Sequence, residues 1–357
     1  MKFVGIDLHK QTIVLCVVNQ EKKILQRTRF LCSDTDRIRK YFAELGEFQA
    51  VIEATASYEW LMTLLDPLAK RLVLAHPAKL RVIAESVNKS DKLDAQVLAV
   101  FLAMDLIPRA YRPTPREREH RVLVRHRIDM RRQVGRLKVK IRRVLANYNA
   151  DRRDLFTGEG WAYLLEVSKK FSAADRFVLK QLRTALSHAE KQLKQATLQL
   201  RQFAKKSPAR EQEARALLRT APGVGEVVSE VVLAELGNVS RFGSAKKVCA
   251  YSGLVPAQRE SAGKVKDLGI SKQGSSLVRW VMVQAAWQAV RVSLKWRAVY
   301  EETRKRRGNR KAIVAVARRL LAVLYALLRT GQSYRYGVQE RSRAPKPLTA
   351  APQEEAC

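Results

Sequence analysis

Paired cysteines are missing from this sequence. Cys16, Cys32, Cys249 and Cys357 are scattered without any CxxC spacing, which argues against a zinc ribbon or a disulfide framework and leaves ordinary thiols. No apolar run approaches about 18 residues, so no stretch reads as a membrane span. Met1 leads almost directly into a strand with an acidic end, without the profile of a signal peptide. The expectation is a soluble, cytoplasmic protein with no membrane partner. Acidic residues are scarce too: 34 Asp and Glu stand against 68 Lys and Arg, a formal net charge of +34. A surface this positive calls for a polyanionic partner, and nucleic acid ranks ahead of a membrane because no lipid-facing amphipathic stretch dominates. With 357 residues, 46% of them hydrophobic, the chain can bury more than one core.

The N-terminal third alternates strand and helix signals. Lys2 to Leu8, Thr12 to Asn19 and Lys23 to Phe30 read as three successive strands, an antiparallel meander. Asp34 to Leu45 is helical with Ser33 as its cap, Gln49 to Ala54 is a buried strand, and Ser57 to Lys70 is a helix. The strand Arg71 to His76 follows, and a helix from Pro77 leads to a second helix opening at Asn88. Three strands, helix, strand, helix, strand, helix is the order of a ribonuclease H-like domain, an α/β mixed sheet with flanking helices. In such a sheet the first and fourth strands are parallel neighbours, so Asp7 and Glu53 lie side by side at strand ends. Glu53 is conspicuous because a charge within the apolar run AVIEA needs a partner. In NKSDKLDAQVLAVFL, Asp91 and Asp94 are three residues apart and share one helical face. Four converging carboxylates are costly without compensation, and an oxygen donor set of this kind suits Mg²⁺ or Mn²⁺. Two such ions about 4 Å apart can activate a nucleophile and stabilise a leaving oxygen in phosphodiester cleavage.

From Arg109 the character changes. Tyr111 to Pro115 is a Pro-containing linker. Residues 116–143 then hold twelve Arg or Lys against three acids, an excess that reads as a phosphate-facing helix. Ala173 to Lys206 is a second long helix, with Phe177, Leu182, Leu186, Leu193 and Leu200 at heptad-like spacing, the pattern of an antiparallel helical arm or a coiled-coil oligomer contact. Beyond Ser207-Pro208, residues Ala216 to Gly237 read as a helix-hairpin-helix with an APGVG turn whose glycines let a phosphate approach. Phe242 to Gly274 is dense in Gly, Ser and Lys and reads as a loop. Amphipathic helices resume from Ser276 to about Thr330, with the charge run RKRRGNRK between two of them. The tail after Tyr336 has the composition of a disordered segment.

VGIDLHK at Val4, VIEATASYEW at Val51 and NKSDKLDAQVLA at Asn88 resemble the N-terminal signatures of the Piv/MooV-type DEDD transposases and DNA invertases of bacterial insertion sequences. APGVG, YSGLVP, ESAGK and GISKQG are similar to that family's C-terminal transposase domain, so the resemblance covers almost the whole chain. It implies four segments: a RuvC-like catalytic domain at 1–110, a basic helical, coiled-coil-like region at 111–210, a mostly helical C-terminal transposase domain with the helix-hairpin-helix-like element at 211–335, and a tail at 336–357. It also implies metal binding by Asp7, Glu53, Asp91 and Asp94, and a serine that attacks DNA to give a 5′-phosphoserine intermediate. Ser261 is the serine that matches, although Glu260 and Ala262 flank it where Ser-Ser-Gly is commoner. Ser271 in GISKQG is the reserve. Lys264, Lys266 and Lys272 could neutralise the scissile phosphate. The partners implied are double-stranded DNA at element ends and target, a structured guide RNA encoded by the element, and further copies of the chain in a dimer or tetramer on the bacterial nucleoid. Two alternatives remain open: a RuvC-like nuclease or resolvase that cuts by water attack, and a non-catalytic nucleic-acid-binding protein.

Overall fold

The computed structural model describes residues 1–55, 57–83, 91–261 and 264–335, the side chains of 81–83, 91–93, 258–261 and 264–267 excepted. The chain forms two compact units, Met1–Pro113 and Thr114–Cys357.

In the first unit the β-branched runs form β1 (Lys2–Leu8), β2 (Thr12–Val18) and β3 (Ile24–Leu31), followed by α1 (Thr35–Glu44), β4 (Phe48–Glu53), α2 (Glu59–Leu65), β5 (Arg71–Ala75), α3 (Pro77–Ile83) and α4 (Asp91–Ala103). The strands lie in the order β3-β2-β1-β4-β5. The first three are antiparallel, whereas β4 runs parallel to β1 and β5 parallel to β4. The expected mixed sheet, with first and fourth strands as parallel neighbours, is therefore present. Val4, Ile6 and Leu8 pack with Phe48, Ala50 and Ile52 against Ile38, Phe42, Leu61 and Met62 of α1 and α2. On the opposite face Val51, Val73 and Ala75 meet Leu98 and Leu102 of α4. Burial on both faces explains why β1 and β4 read as near-continuous apolar runs. The edge strand β3 is mostly exposed and carries Arg27 and Arg29, charges that discourage pairing with a further strand.

Two local expectations are corrected here. Ser33 does not cap α1: its hydroxyl donates to the Asp34 carboxylate at 3.3 Å, and Asp34 occupies the cap position without a side-chain bond. Helix α2 is about half the expected length, because Pro67 has no N–H and restricts the residue before it. The segment after α4 is held within the first unit, since Arg112 pairs with Glu59 at 2.7 Å and Asp66 at 2.8 Å.

In the second unit α5 (Pro115–Ala146) opens on a capping box formed by Thr114 and Glu117. After α6 (Gly158–Val167) the chain returns along α7 (Ala173–Lys205). Leu200 of α7 joins the core around Val124 and Ile128, whereas Leu179 joins the core around Ile141 and Leu145, so α5 and α7 are antiparallel. The buried or half-buried seam of α7 is Leu179, Leu182, Leu186, Ala189, Leu193, Ala196 and Leu200, a strict alternation of three and four. Phe177 departs from the expectation: it is 63% exposed, and Leu179 takes the inward position. Several cations of α5 have partners within the protein. Arg116 binds Glu211 at 2.6 Å, Arg125 binds Glu235 at 2.8 Å and Lys138 binds Glu190 at 2.9 Å, while Arg121 and Arg142 donate to backbone carbonyls. These five of the twelve cations thus serve contacts within the second unit.

Helices α8 (Ala209–Arg219), α9 (Glu226–Leu236), α10 (Ala245–Tyr251), α11 (Ser276–Val292) and α12 (Leu294–Thr330) complete this unit, with a two-stranded ribbon, β6 (Pro256–Ser261) and β7 (Lys264–Ile270), between α10 and α11. A buried ionic cluster ties α5 to α8 and α9. Glu230, 2% exposed, accepts from Arg215 at 2.8 Å and lies 2.7 Å from His120 Nε2. Burial alone would raise the Glu230 pKa, but the hydrogen bonds from His120 and Arg215 outweigh it and leave the carboxyl below its ordinary 4.5. Replacing one partner leaves buried charge uncompensated, so Glu230→Ala is expected to cost about 3–5 kcal/mol, measured by urea denaturation at neutral pH; a loss below about 1 kcal/mol contradicts it. Because the folded-state pKa is depressed, the stabilisation is complete above the ordinary carboxylate range and is lost as pH falls through the lowered value.

Candidate active site

Asp7 lies on β1 and Glu53 ends β4. The parallel register pairs Gly5 with Val51 and Ile6 with Ile52, so the next residues, Asp7 and Glu53, stand side by side at the C-terminal ends of two central strands. Alternation turns both toward the face that carries Gly5 and Val51, the face covered by α4. The Asp7 side chain is only 14% exposed, and its Oδ2 lies 3.0 Å from His9 Nε2, a partner that sequence reasoning passed over.

Gly5 fixes the height of α4 above the sheet. A Cβ at that position would sit 2.0 Å from the Ala95 carbonyl oxygen and 2.5 Å from the Ala99 nitrogen, so only glycine admits the helix this close. The direction of α4 follows from its far end, where Asp105 accepts from Arg71 at 2.8 Å, over the start of β5. That hydrogen bond, with the charge of the same guanidinium, holds the Asp105 carboxyl below its ordinary range. The opposite end of α4, with Asp91 as its first residue and Asp94 half-buried one turn later, therefore lies toward the C-terminal ends of β1 and β4. The structure brings Asp7 and Glu53 to adjacent strand ends and Asp94 to the same end of the same face. The side chain of Asp91 and residues 88–90 lie outside the described residues. Among the described residues no group of three Asp, Glu, His or Cys forms a metal-binding cluster. The donors themselves are all hard carboxylate oxygens, and that chemistry fits Mg²⁺ or Mn²⁺ better than a soft metal.

The second unit presents the serines. Phe242 to Gly274 is not a loop, as its composition suggested: it contains α10 and the ribbon. Ser261 is the last residue of β6 and pairs with Lys264, which puts it at the tip, next to residues 262–263, which lie outside the described residues, as does its own side chain. Ser271 lies at the base. Its N–H donates to the Val255 carbonyl at 2.9 Å, and its Oγ is buried without a partner among the described residues. From Ser261 the strand runs back six residues to Val255, whose carbonyl bonds the Ser271 N–H, about 20 Å at ~3.3 Å per residue, so the two serines of one chain cannot serve one phosphodiester. Lys272 also belongs to the base, its N–H bonded to the Gly253 carbonyl, and is remote from Ser261.

The motifs YSGL and GISKQG interlock at that base. A Cβ on Gly253 would lie 2.1 Å from the Gln273 oxygen, and one on Gly274 would lie 1.8 Å from the Tyr251 oxygen. Arg279 of α11 donates to the carbonyls of Ser252, Gln273 and Gly274 at 3.0–3.2 Å. Sequence reasoning missed Arg279, because its partners are backbone atoms that leave no signal in residue identity. The APGVG turn departs from the phosphate-approach expectation at Gly223. A Cβ there would meet the Ala285 oxygen at 2.4 Å and the Ala289 nitrogen at 2.6 Å of α11, so this glycine is covered by packing, whereas a Cβ on Gly225 would meet nothing within 4 Å. At the start of α9, Glu226 binds Arg201 at 2.8 Å, and a carboxylate already lies in its first turn.

Comparison with known proteins adds two family models. One, described as a transposase of the DEDD type of IS110 elements, matches residues 4–150, and the other, described as the transposase IS116/IS110/IS902 family, matches residues 215–301. The transposase for insertion sequence element IS1111A of Coxiella burnetii is 25% identical over 352 residues, covering 94% of this chain and 92% of that protein. A pilin gene-inverting protein of Moraxella lacunata is 23% identical, over 95% of this chain and 99% of its own length. A probable family 20 transposase of Pseudomonas aeruginosa is 22% identical, over 94% and 98%. No helix among the described residues is long and apolar enough to cross a membrane.

Proposed function

Since the chain belongs to the IS110-type family of insertion-sequence transposases, and so is a DNA transposase or recombinase, we propose that it cuts and rejoins strands at element ends and target with a RuvC-like carboxylate site and a serine nucleophile. The register that sets Asp7 beside Glu53, with the Asp94 end of α4 above them, supports this most directly. Asp7, Glu53, Asp91 and Asp94 would hold the divalent ion. Mg²⁺ or Mn²⁺ bound there supplies Lewis-acid activation of the attacking oxygen and stabilisation of the leaving one.

Ser261 is the nucleophile in this reading. Its Oγ forms a bond to phosphorus as the bond to the DNA 3′-oxygen breaks, the hydroxyl proton passing to that leaving oxygen, and a 5′-phosphoserine results. Attack by the 3′-hydroxyl of the new strand reverses the step and frees the serine, so no nucleotide cofactor is consumed. The tip position of Ser261 and the buried Oγ of Ser271 favour this assignment. A net charge of +34 suits both DNA and a structured guide RNA encoded by the element, and a dimer or tetramer would bring several serines and carboxylate sites to one junction.

A denaturing gel of the purified protein with Mg²⁺, the element's own RNA and labelled junction DNA tests the assignment. The expected result is a protein–DNA adduct formed by wild type and by Ser271→Ala, and absent with Ser261→Ala. Cleaved DNA without adduct, unaffected by either change, would instead mark hydrolysis by water at the carboxylate site.

A further inference from the structure

The charge run between the two arms of α12 is not used by the site above. Within α12, Gly308 has φ 75° and ψ 166°, a conformation essentially reserved to glycine. A Cβ there would meet nothing within 4 Å, so the backbone angle, not crowding, demands this residue. Both arms are anchored. Trp296 and Tyr300 are buried on the N-terminal side, with the Tyr300 ring 5.4 Å from that of Trp287, and Ala312, Ile313, Val316 and Ala317 are buried on the C-terminal side. Residues 304–311, by contrast, are all exposed. A helix packed on a core returns an apolar residue to it every three or four positions, so eight consecutive exposed residues, more than two turns, form a projecting elbow.

Arg304, Lys305, Arg306, Arg307, Arg310 and Lys311 crowd this elbow. Arg304 reaches Glu301 at 2.9 Å and Arg306 reaches Glu302 at 2.8 Å, both solvent-exposed pairs of small worth. Lys305, Arg307 and Arg310 have no ion pair among the described residues. Nothing in the fold rewards such crowding of like charge on a glycine-dependent bend, and a polyanion does. Arg304 to Arg307 precede the bend and Arg310 and Lys311 follow it, so long Arg and Lys side chains on both flanks can reach phosphates on either side of a major groove about 12 Å wide.

We propose that the Gly308 elbow is a duplex-DNA contact of the second unit, in which Lys305, Arg307 and Arg310 neutralise backbone phosphates without reading sequence. This rests on the reading of the protein as a DNA transposase.

The test is fluorescence anisotropy of the full-length protein on a labelled duplex of about thirty base pairs, titrated from about 50 to 200 mM salt. With the triple variant K305Q/R307Q/R310Q the slope of log affinity against log salt is expected to flatten by about 2.7, three phosphates at ~0.9 each. Glutamine is a good helix former, so circular dichroism should be unchanged. The control K180Q/K191Q/K194Q removes the same charge from exposed positions on α7 and should change the slope by less than about 1. An unchanged slope in the elbow variant, or an equal change in the control, overturns the proposal. So does a slope that flattens on structured RNA but not on duplex DNA, which would make the elbow an RNA contact. Wild-type protein that binds no duplex at all would overturn the DNA-transposase reading with it, a result separate from failure of the elbow variant alone.

Discussion

With asparagine in place of Asp7, strand exchange is expected to fall by about three orders of magnitude or more, because on the proposed metal site the change would remove several kcal/mol of metal-dependent stabilisation at about 1.4 kcal/mol per factor of ten. The substitution keeps the shape of the side chain and deletes one charge. Asp7 sits on a central strand with its carboxylate only 14% exposed, where a carboxamide offers a single neutral oxygen to a cation. The isosteric change keeps the packing of β1 and leaves an oxygen within reach of His9, so thermal stability should change little. Affinity for nucleic acid should persist, since it derives from cations elsewhere on the chain. Loss of folding in Asp7→Asn would assign the residue a structural role instead.

Gly5→Ala is expected to be nearly as damaging through packing alone. The added carbon would fall 2.0 Å from the Ala95 oxygen and 2.5 Å from the Ala99 nitrogen. Both are backbone atoms, so no change of rotamer relieves the clash, and α4 must lift from the sheet. The expected cost is about 3 kcal/mol, read as a shift of the denaturant midpoint of the intact protein. Activity should fall further than stability, because Asp94 directly precedes Ala95 and moves with it away from Asp7 and Glu53. A Gly5→Ala protein of unchanged stability and activity would show that the close approach of α4 does not set the site.

The first unit was legible because its information is local. Strand runs and the order of elements follow from periodicity over short windows, and the observed register, which sets Asp7 and Glu53 at neighbouring strand ends, agrees. Gly5 carried the close approach of α4 to the sheet and gave no signal, since a glycine within a strand also reads as a weak point. In α7 the leucines were visible, but Ala189 and Ala196 complete the buried seam and alanine is silent in a search for large apolar residues, so Phe177 was drawn into the pattern wrongly. Arg116 and Arg125 looked unpaired in the sequence because their partners, Glu211 and Glu235, lie more than ninety residues away. The ribbon that ends on Ser261 was hidden by its own composition, as Gly, Ser and Lys between the helices imitate a loop. Arg279 and the glycines of YSGL and GISKQG lock together through carbonyls, which no side-chain pattern encodes.

Calorimetric titration of the full-length protein with Mn²⁺, beside Asp7→Asn under the same conditions, asks directly whether the carboxylates form one site. The expected result is saturable binding by wild type that disappears in the variant while its circular dichroism is unchanged. Equal Mn²⁺ binding by both proteins would contradict a metal centre at the ends of β1 and β4.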